Sequence, residues 1–345
     1  MSKKTIALTW GSTGWHVFPL VSLYNYLNES ENYDFLWFWE DASLEEDIAK
    51  NAWIEFHDIS AWKIRRYFDL RNFYEPLKNL TGIVESIFFI KKYNIDIVFS
   101  KWGFVSIPMA IWAKLMWKKL FIHESDTVSW ISNKLVSKMA DKVFYSFDNE
   151  KVDNHKYILS GQILNPELLD SITTLQVIEN NKQKVLVTGW SQGSTKIFES
   201  LLEVLDNLEF LDFIVILWDK NKHFKEQFGK FKNVKVYDFI SQKEFGIILK
   251  QTDIAITRAW ATSLWEQNMF GIHSIIIPLS NSAWNHQIKN AEYFNKNFES
   301  DVLNEDEKLY LKLGEKLTNY RNLRKAWLNL DKFYNALKII EWNMK

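Results

Sequence analysis

The stretch "LTWGSTGWHVFP", residues 8–19, decides how the chain folds. An apolar run over 5–9 leads into it, and a helical pattern over 16–27 leads out. A turn between a strand and a helix is a natural anion site, because the first N–H groups of the helix point at whatever sits there. Such a turn needs small residues, so that the backbone can close around the anion. Trp10 and Trp15, the bulkiest residues available, stand at the two places where glycine would be expected.

Outward from this turn, short apolar runs alternate with amphipathic ones. Strands are expected over 5–9, 34–38, 54–58, 96–100, 119–122 and 142–145, with helical patterns over 16–27, 45–51, 79–93 and 106–116. That alternation predicts a parallel sheet covered on both faces. Ligands in such sheets sit at the carboxyl ends of strands. The pattern loosens over 161–182 and then restarts, with strands over 184–188, 213–217, 234–237, 253–256 and 274–277. Its first loop, "TGWSQGSTK" (188–196), echoes the first loop of the chain. The expected organisation is a nucleotide-type domain over 1–160, a linker over 161–182 and a second such domain over 183–319. The segment 320–345 follows, reading as a helix over 320–342 that returns to the first domain.

Composition sets bounds. A chain of 345 residues suits two domains of about 150–190 residues. The net charge of −1 supplies no basic field, so no nucleic acid partner is expected. The absence of cysteine excludes disulfides, thiolate metal sites and cysteine nucleophiles. The opening "MSKKTIALTW" has an apolar part only one strand long, so it is not a signal peptide. No apolar run reaches the roughly 18 residues that a membrane span needs. The seven histidines are scattered and no metal-ligand spacing appears, so neither a metal nor a cofactor is expected. Tryptophan numbers 17 and glycine only 11. Average glycine usage of about 7% would supply roughly two dozen.

Four loops follow expected strands: "TWGSTGWHVFP" (9–19), "SKWGFVSIP" (100–108), "TGWSQGS" (188–194) and "TRAWATSLWEQ" (257–267). "HESDTVSWISNK" (123–134) and "SAWNHQIKNA" (282–291) join them. Each alone is a common kind of turn. In this order, over roughly residues 4–294, they resemble the MurG family. Those enzymes move N-acetylglucosamine from its UDP form onto a lipid-linked muramyl-pentapeptide. The resemblance implies an α/β chain of the GT-B class, two Rossmann-like domains facing across a cleft.

The family has glycine where this chain has Trp10, Trp15, Trp102, Trp190 and Trp260, and also at Trp62 and Trp130. Trp39, Trp53, Trp117 and Trp218 sit where a turn glycine is natural. Some uncultured bacterial lineages read the codon UGA as glycine. A translation that reads UGA as tryptophan would place Trp at just such codons, and about a dozen swaps restore ordinary usage. The alternative is a decayed or genuinely tryptophan-lined protein. Tryptophan held at positive φ is strained, which favours glycine in such turns.

The resemblance also implies a site. His16 opens the first helix and faces the cleft. It would accept the proton of the acceptor hydroxyl or steady the leaving diphosphate. Thr13, Gly14 and Trp15 match a phosphate turn. Ser191, with Gly193, matches its counterpart in the second domain, which meets the UDP portion of the donor. Glu266 matches a carboxylate that takes both ribose hydroxyls, since a carboxylate offers two acceptors. Ala261, Thr262, Ser263, Leu264 and Trp265 precede it at a helix start suited to the diphosphate. The main chain of Ile240 matches the uracil contact, and Gln287 the side chain that reads sugar hydroxyls. The chain departs from the family pattern in two places. "HESD" stands where "HEQN" is usual, so Asp126 replaces an amide. Asn165 stands where an arginine near the diphosphate is common, which leaves Arg258 and Lys196 as candidate cations.

"WKIRRYFDLRNFYEPLKNL" (62–80) mixes five basic residues with aromatic ones. It reads either as a helix and loop packed on the first domain or as a patch for an anionic membrane surface. The implied activity is an inverting transfer. UDP-N-acetylglucosamine is the donor and the 4-hydroxyl of undecaprenyl-diphosphate-linked muramyl-pentapeptide the acceptor. The implied location is peripheral, on the cytoplasmic face of the cell membrane. Another glycolipid synthase of the superfamily, a UDP-sugar epimerase and an inactive UDP-sugar-binding relative are the alternatives.

Overall fold

The computed structural model describes all residues except 1–2, 11–17, 40–53, 61–75, 103–105, 129–130, 149–153, 169–181, 190–193, 239, 281, 283–284, 325, 327 and 329. The helix expected over 45–51 therefore lies outside the described residues. The chain divides into two units, Met1–Leu164 with Tyr334–Lys345, and Asn165–Phe333.

In the first unit the order is β1 (Lys4–Trp10), α1 (Phe18–Asn28), β2 (Tyr33–Trp39), β3 (Glu55–Asp58), α2 (Pro76–Lys92) and β4 (Ile97–Trp102). Then come α3 (Ser106–Leu115), β5 (Lys119–Glu124), α4 (Ile131–Met139), β6 (Lys142–Tyr145) and β7 (Tyr157–Leu159). The strands form one sheet in the order β3-β2-β1-β4-β5-β6-β7, every pairing parallel. Both faces are buried, which explains why its strands read as continuous apolar runs. Ile6, Leu8, Ile97, Phe99, Phe121 and Phe144 pack with Leu20, Leu23 and Leu27 of α1 on one face. Ala336, Leu337, Ile340 and Met344 of the C-terminal helix, Leu330–Met344, complete that layer. Each buried leucine, isoleucine, phenylalanine or methionine of this layer contributes about 1.5–3 kcal/mol. Ala7, Val98, Leu120, Ile122 and Val143 pack on the other face with Ile90 of α2, Met109 of α3 and Val136 of α4.

The second unit runs β8 (Gln183–Thr188), α5 (Thr195–Leu202), β9 (Leu211–Ile216), α6 (Lys225–Phe228), β10 (Val234–Tyr237) and α7 (Gln242–Gln251). It continues with β11 (Ile254–Thr257), α8 (Ala261–Met269), β12 (His273–Ile276), α9 (His286–Asn297), β13 (Ser300–Val302) and α10 (Leu309–Asn319). Its sheet has the order β10-β9-β8-β11-β12-β13, again wholly parallel. Val185, Val187, Phe213, Val215, Ile254 and Ile256 form its core with Phe198 of α5 and Leu313 of α10.

The helix expected from residue 320 starts ten residues later, at Leu330. Residues 320–322 form a turn, and the N–H of Ala326 donates to the carbonyl of Gly271 at 2.8 Å. Gly271 has φ +68, and a Cβ there would lie 2.3 Å from the Ala326 carbonyl oxygen. Only glycine satisfies both conditions.

The tryptophans separate. Trp117 has φ +58 and is 95% exposed, a left-handed turn position that a bulky residue occupies only with strain. Trp260 has φ −74 and Trp218 φ −101. The strain expected of turn tryptophans therefore does not apply at those two positions. Trp39 ends β2 and is buried in the core, not in a turn.

Candidate functional site

The strands of each unit deliver their loops to the carboxyl edge of the sheet. In the second unit Ser194, the N-cap of α5, ties back to the end of β8. Ser194 Oγ donates to the Gly189 carbonyl at 2.7 Å, and Asn221 Nδ2 donates to Ser194 Oγ at 3.0 Å. A Cβ on Gly189 would lie 2.0 Å from Ser194 Cβ, so this close approach requires glycine. Lys196 occupies the second position of α5 and is half-buried.

The loop after β11 leads straight into α8. Its N-cap, Trp260, supplies no side-chain cap to the first turn. The first N–H groups of a helix have no acceptor within the helix, so an anion is favoured there. Ala261, Thr262 and Ser263 hold these positions. Leu264 does not serve in the same way, because its N–H donates to the Trp260 carbonyl at 3.0 Å. The ring of Trp265 packs edge-on against Phe294 and Phe298, at 5.2 and 5.5 Å between centroids. That side chain joins α8 to α9.

Glu266 lies one turn further along α8 and is buried. Its Oε2 has no hydrogen-bond partner among the described residues. Burial alone raises its pKa from 4.5 to about 8. An orphaned buried carboxyl of this kind is held ready for groups that donate hydrogen bonds to it.

Gln287, in the first turn of α9, accepts from the Leu279 N–H at 3.0 Å through Oε1. That bond fixes the amide plane and leaves its NH2 group and the second lone pair of Oε1 for other partners. Asn290, one turn on, donates to the Ala259 carbonyl at 3.1 Å and ties α9 to the loop before α8. Ile240 follows β10, with its side chain buried, just before Ser241 caps α7 through a reciprocal pair of bonds with Glu244. Arg258 is not a mobile phosphate cation. It is 1% exposed, donates to the Ile277 carbonyl and is ion-paired with Glu305. Asn165, at the start of the second unit, accepts from the Glu167 N–H at 3.0 Å and so caps a turn.

In the first unit a buried polar cluster closes the carboxyl edge at β4 and β5. Phe99 pairs with Phe121 in register, so Lys101 and His123 extend the same face one step further on. Both are buried. His123 Nε2 contacts the Gly161 carbonyl at 3.0 Å. That carbonyl accepts only, so Nε2 carries the proton and Nδ1 is bare. Burial first, and then the Lys101 charge, hold the imidazole well below its usual pKa, and it is neutral. Glu124 accepts from Asn133 Nδ2 at 2.9 Å and from the Asp126 N–H at 3.5 Å. Asp126 is buried beside it. Lys101 has no hydrogen-bond partner for Nζ among the described residues. Burial lowers its pKa to about 7 against the opposing pull of Asp126 and Glu124.

The structure thus brings together Glu266, Gln287 and the start of α8 in one unit, and Asp126 with Lys101, His123 and Glu124 in the other. His16, Thr13, Gly14, Trp15 and Ser191 lie outside the described residues, as does most of 62–80. Lys101, Glu124 and Asn133 were not singled out from sequence. The available signal was a lysine closing the strand run "IVFSKW" (97–102), in which every other residue but Ser100 is apolar.

Comparison with known proteins places both units. Residues 6–145 match the glycosyltransferase family 28 N-terminal domain, and residues 184–332 match the glycosyltransferase family 28 C-terminal domain. A relative from Clostridium tetani is 35% identical over 88% of this chain and 86% of its own length. One from Clostridium kluyveri is 31% identical over 98% of this chain and 99% of its own. Both are named UDP-N-acetylglucosamine--N-acetylmuramyl-(pentapeptide) pyrophosphoryl-undecaprenol N-acetylglucosamine transferase. Among solved structures, Acinetobacter baumannii MurG superimposes with a TM-score of 0.76 at 20% identity, covering 98% of each chain. A Neisseria meningitidis UDP-GlcNAc 2-epimerase bound to UDP-GlcNAc superimposes with a TM-score of 0.70 at 13% identity, covering 99% of each. The fold is thus of the GT-B class.

Proposed function

Because the chain belongs to glycosyltransferase family 28, and its curated relatives are MurG transferases, we propose that it moves N-acetylglucosamine from UDP-N-acetylglucosamine to the 4-hydroxyl of lipid-linked N-acetylmuramyl-pentapeptide. The observation that carries this to the site is Glu266, a buried carboxyl whose Oε2 lacks a partner among the described residues, one turn into a helix with no side-chain cap. Two ribose hydroxyls would donate to that carboxyl, and the diphosphate would lie at the N–H groups of Ala261, Thr262 and Ser263. Gln287 would offer its NH2 group to a sugar hydroxyl. Ile240 would meet uracil through its main chain, and Ser191 would join the diphosphate site. Asn165 would border it.

The reaction is one displacement, in which the acceptor oxygen attacks the anomeric carbon as UDP leaves. His16 is the base we favour, with Thr13, Gly14 and position 15 binding anionic oxygen beside it. Arg258 is occupied by Glu305. Lys196 is therefore the cation we assign to the leaving diphosphate.

The proposed acceptor is lipid-linked, and we take the protein to attach peripherally to the membrane, at its cytoplasmic face. Among the described residues no helix is long and apolar enough to cross a membrane. On α2, Val84 and Phe88 are exposed one turn apart, next to exposed Lys91 and Lys92. That is the pairing of apolar and basic side chains that suits an anionic interface, and it continues the basic–aromatic stretch 62–80. We also propose glycine as the native residue at Trp10, Trp15, Trp102, Trp190 and Trp260. The strained backbone of Trp117 supports extending that to position 117.

Acceptor dependence tests the activity. UDP released from UDP-N-acetylglucosamine only when the lipid-linked acceptor is present supports the transferase. UDP-N-acetylmannosamine formed without acceptor identifies an epimerase instead.

A further inference from the structure

Glu305 lies in "NEDEK" (304–308), a charged run that belongs to none of the motif loops. Its neighbours Asn304, Asp306, Glu307 and Lys308 are exposed, whereas Glu305 is half-buried. It turns inward onto Arg258, which is 1% exposed, with Oε1 2.5 Å from Nη2. The other terminal nitrogen of the same guanidinium, Nη1, donates to the Ile277 carbonyl at 3.0 Å. A guanidinium is planar, so acceptors on both terminal nitrogens fix its orientation as well as its place.

This side chain joins the loop between β11 and α8 to the segments that follow β12 and β13. The first two of these carry donor groups named above. The Arg258 carbonyl accepts the Trp260 N–H at 3.0 Å, and the Trp260 carbonyl accepts the Leu264 N–H at 3.0 Å. The residue that anchors the loop thereby sets the first turn of α8. Shortly beyond Ile277, the Leu279 N–H holds Gln287 Oε1. A shift of the guanidinium therefore shifts the N–H groups of Ala261, Thr262 and Ser263 relative to Gln287. A buried guanidinium that loses its carboxylate has reason to shift, because it must find another acceptor or water.

We propose that Glu305 is a positioning residue for the donor: through Arg258 it holds the start of α8 and the Gln287 amide in the arrangement that receives a UDP-sugar. This rests on the transferase function proposed above. Glu305 does not touch the substrate. Its effect is to order the donor groups in the free protein, so that little of that ordering is left to be done on binding.

The test compares Glu305→Ala, Glu305→Gln and, as a control for charge in the same run, Glu307→Gln. Each is built in the chain as written and in the version with glycine at the five motif positions. UDP affinity by calorimetry, donor KM, kcat, Tm and amide hydrogen exchange are measured. Glu305→Ala is expected to weaken UDP binding and raise donor KM by about tenfold, with kcat little changed, as loss of uniform binding does. In the free protein the amides of Leu264 and Leu279 lose protection at labelling times at which Val187 and Val215, in the core strands, remain protected. Glu305→Gln keeps an acceptor oxygen for Nη2 and restores affinity to within about threefold of the parent. Glu307→Gln equals the parent. UDP affinity equal to the parent's in Glu305→Ala, whatever its Tm, makes the pair merely structural and overturns the proposal. So does a loss confined to kcat, a Glu305→Gln variant no better than Glu305→Ala, or a Glu307→Gln variant as weak. If neither parent binds UDP, it is the proposed function that fails. Exchange at Leu264 and Leu279 then decides the brace: lost protection in Glu305→Ala supports it, and unchanged protection overturns it.

Discussion

Glu266 makes donor affinity depend on pH in a direction that its surroundings dictate. Burial raises its pKa from 4.5 to about 8. At about 1.4 kcal/mol per unit, that is about 5 kcal/mol against ionising it in the empty site. Two ribose hydroxyls donating to the carboxyl favour the ionised form, so binding near neutral pH expels a proton. Affinity for UDP-N-acetylglucosamine then rises up to about tenfold per unit between pH 6 and 8 and levels off above. The ligand's own diphosphate does not titrate in this window. Stability runs the opposite way. Between about pH 4.5 and 8 the folded protein holds a proton that the unfolded chain has released, so stability declines as pH rises through that window and is level above it. Calorimetry at pH 7 in two buffers of different ionisation heat reads the proton directly, and about one should be released per ligand bound. Glu266→Gln should abolish both slopes. Affinity that is flat from pH 6 to 8, with no proton released, would show that Glu266 does not meet the donor.

Other outcomes follow from the same geometry. Arg258→Met should destabilise the protein by about 3–5 kcal/mol, because it removes the buried cation that Glu305 is paired with; unfolding curves check this, and an unchanged Tm would return Arg258 to the list of candidate cations. Lys196→Ala should lower transfer and weaken UDP binding, whereas equal kinetics would remove it from the diphosphate site. Replacing Arg65, Arg66 and Arg71 by serine should weaken binding to anionic vesicles by about 1 kcal/mol per residue, with activity on a short water-soluble acceptor retained; unchanged vesicle binding would assign the stretch to the fold. Peptide masses from the source organism should show glycine at positions 10, 15, 102, 190 and 260, and tryptophan there would end the recoding explanation.

The architecture was legible because parallel strands buried on both faces leave continuous apolar runs, as in "TIALT" (5–9) and "DIVFS" (96–100). β7 and β13 were missed. Each pairs on one side only, at a sheet edge, and is three residues long. The C-terminal helix was started too early: the chain before it is tied at Ala326 to Gly271, a partner far away in sequence that no local pattern reveals. Site residues were nameable from motif order, but their states were not. Arg258 looks like a free cation until Glu305 is placed beside it. Gln287 looks like a free side chain until the Leu279 N–H is placed on its oxygen. Lys101 reads as one charge in a strand until folding brings Glu124 and Asp126 near it.

Transfer itself is most directly tested on the isolated lipid product. The chain as written and the version with glycine at positions 10, 15, 102, 190 and 260 are each incubated with UDP-N-acetylglucosamine and the lipid-linked muramyl-pentapeptide. Mass spectrometry and the anomeric NMR signal then report what was made. The expected product is the acceptor enlarged by one N-acetylglucosamine, joined to its 4-hydroxyl in the β configuration, with one UDP released per sugar. A folded protein that binds UDP-N-acetylglucosamine and leaves the acceptor unchanged, or that joins the sugar with retained configuration, would contradict it.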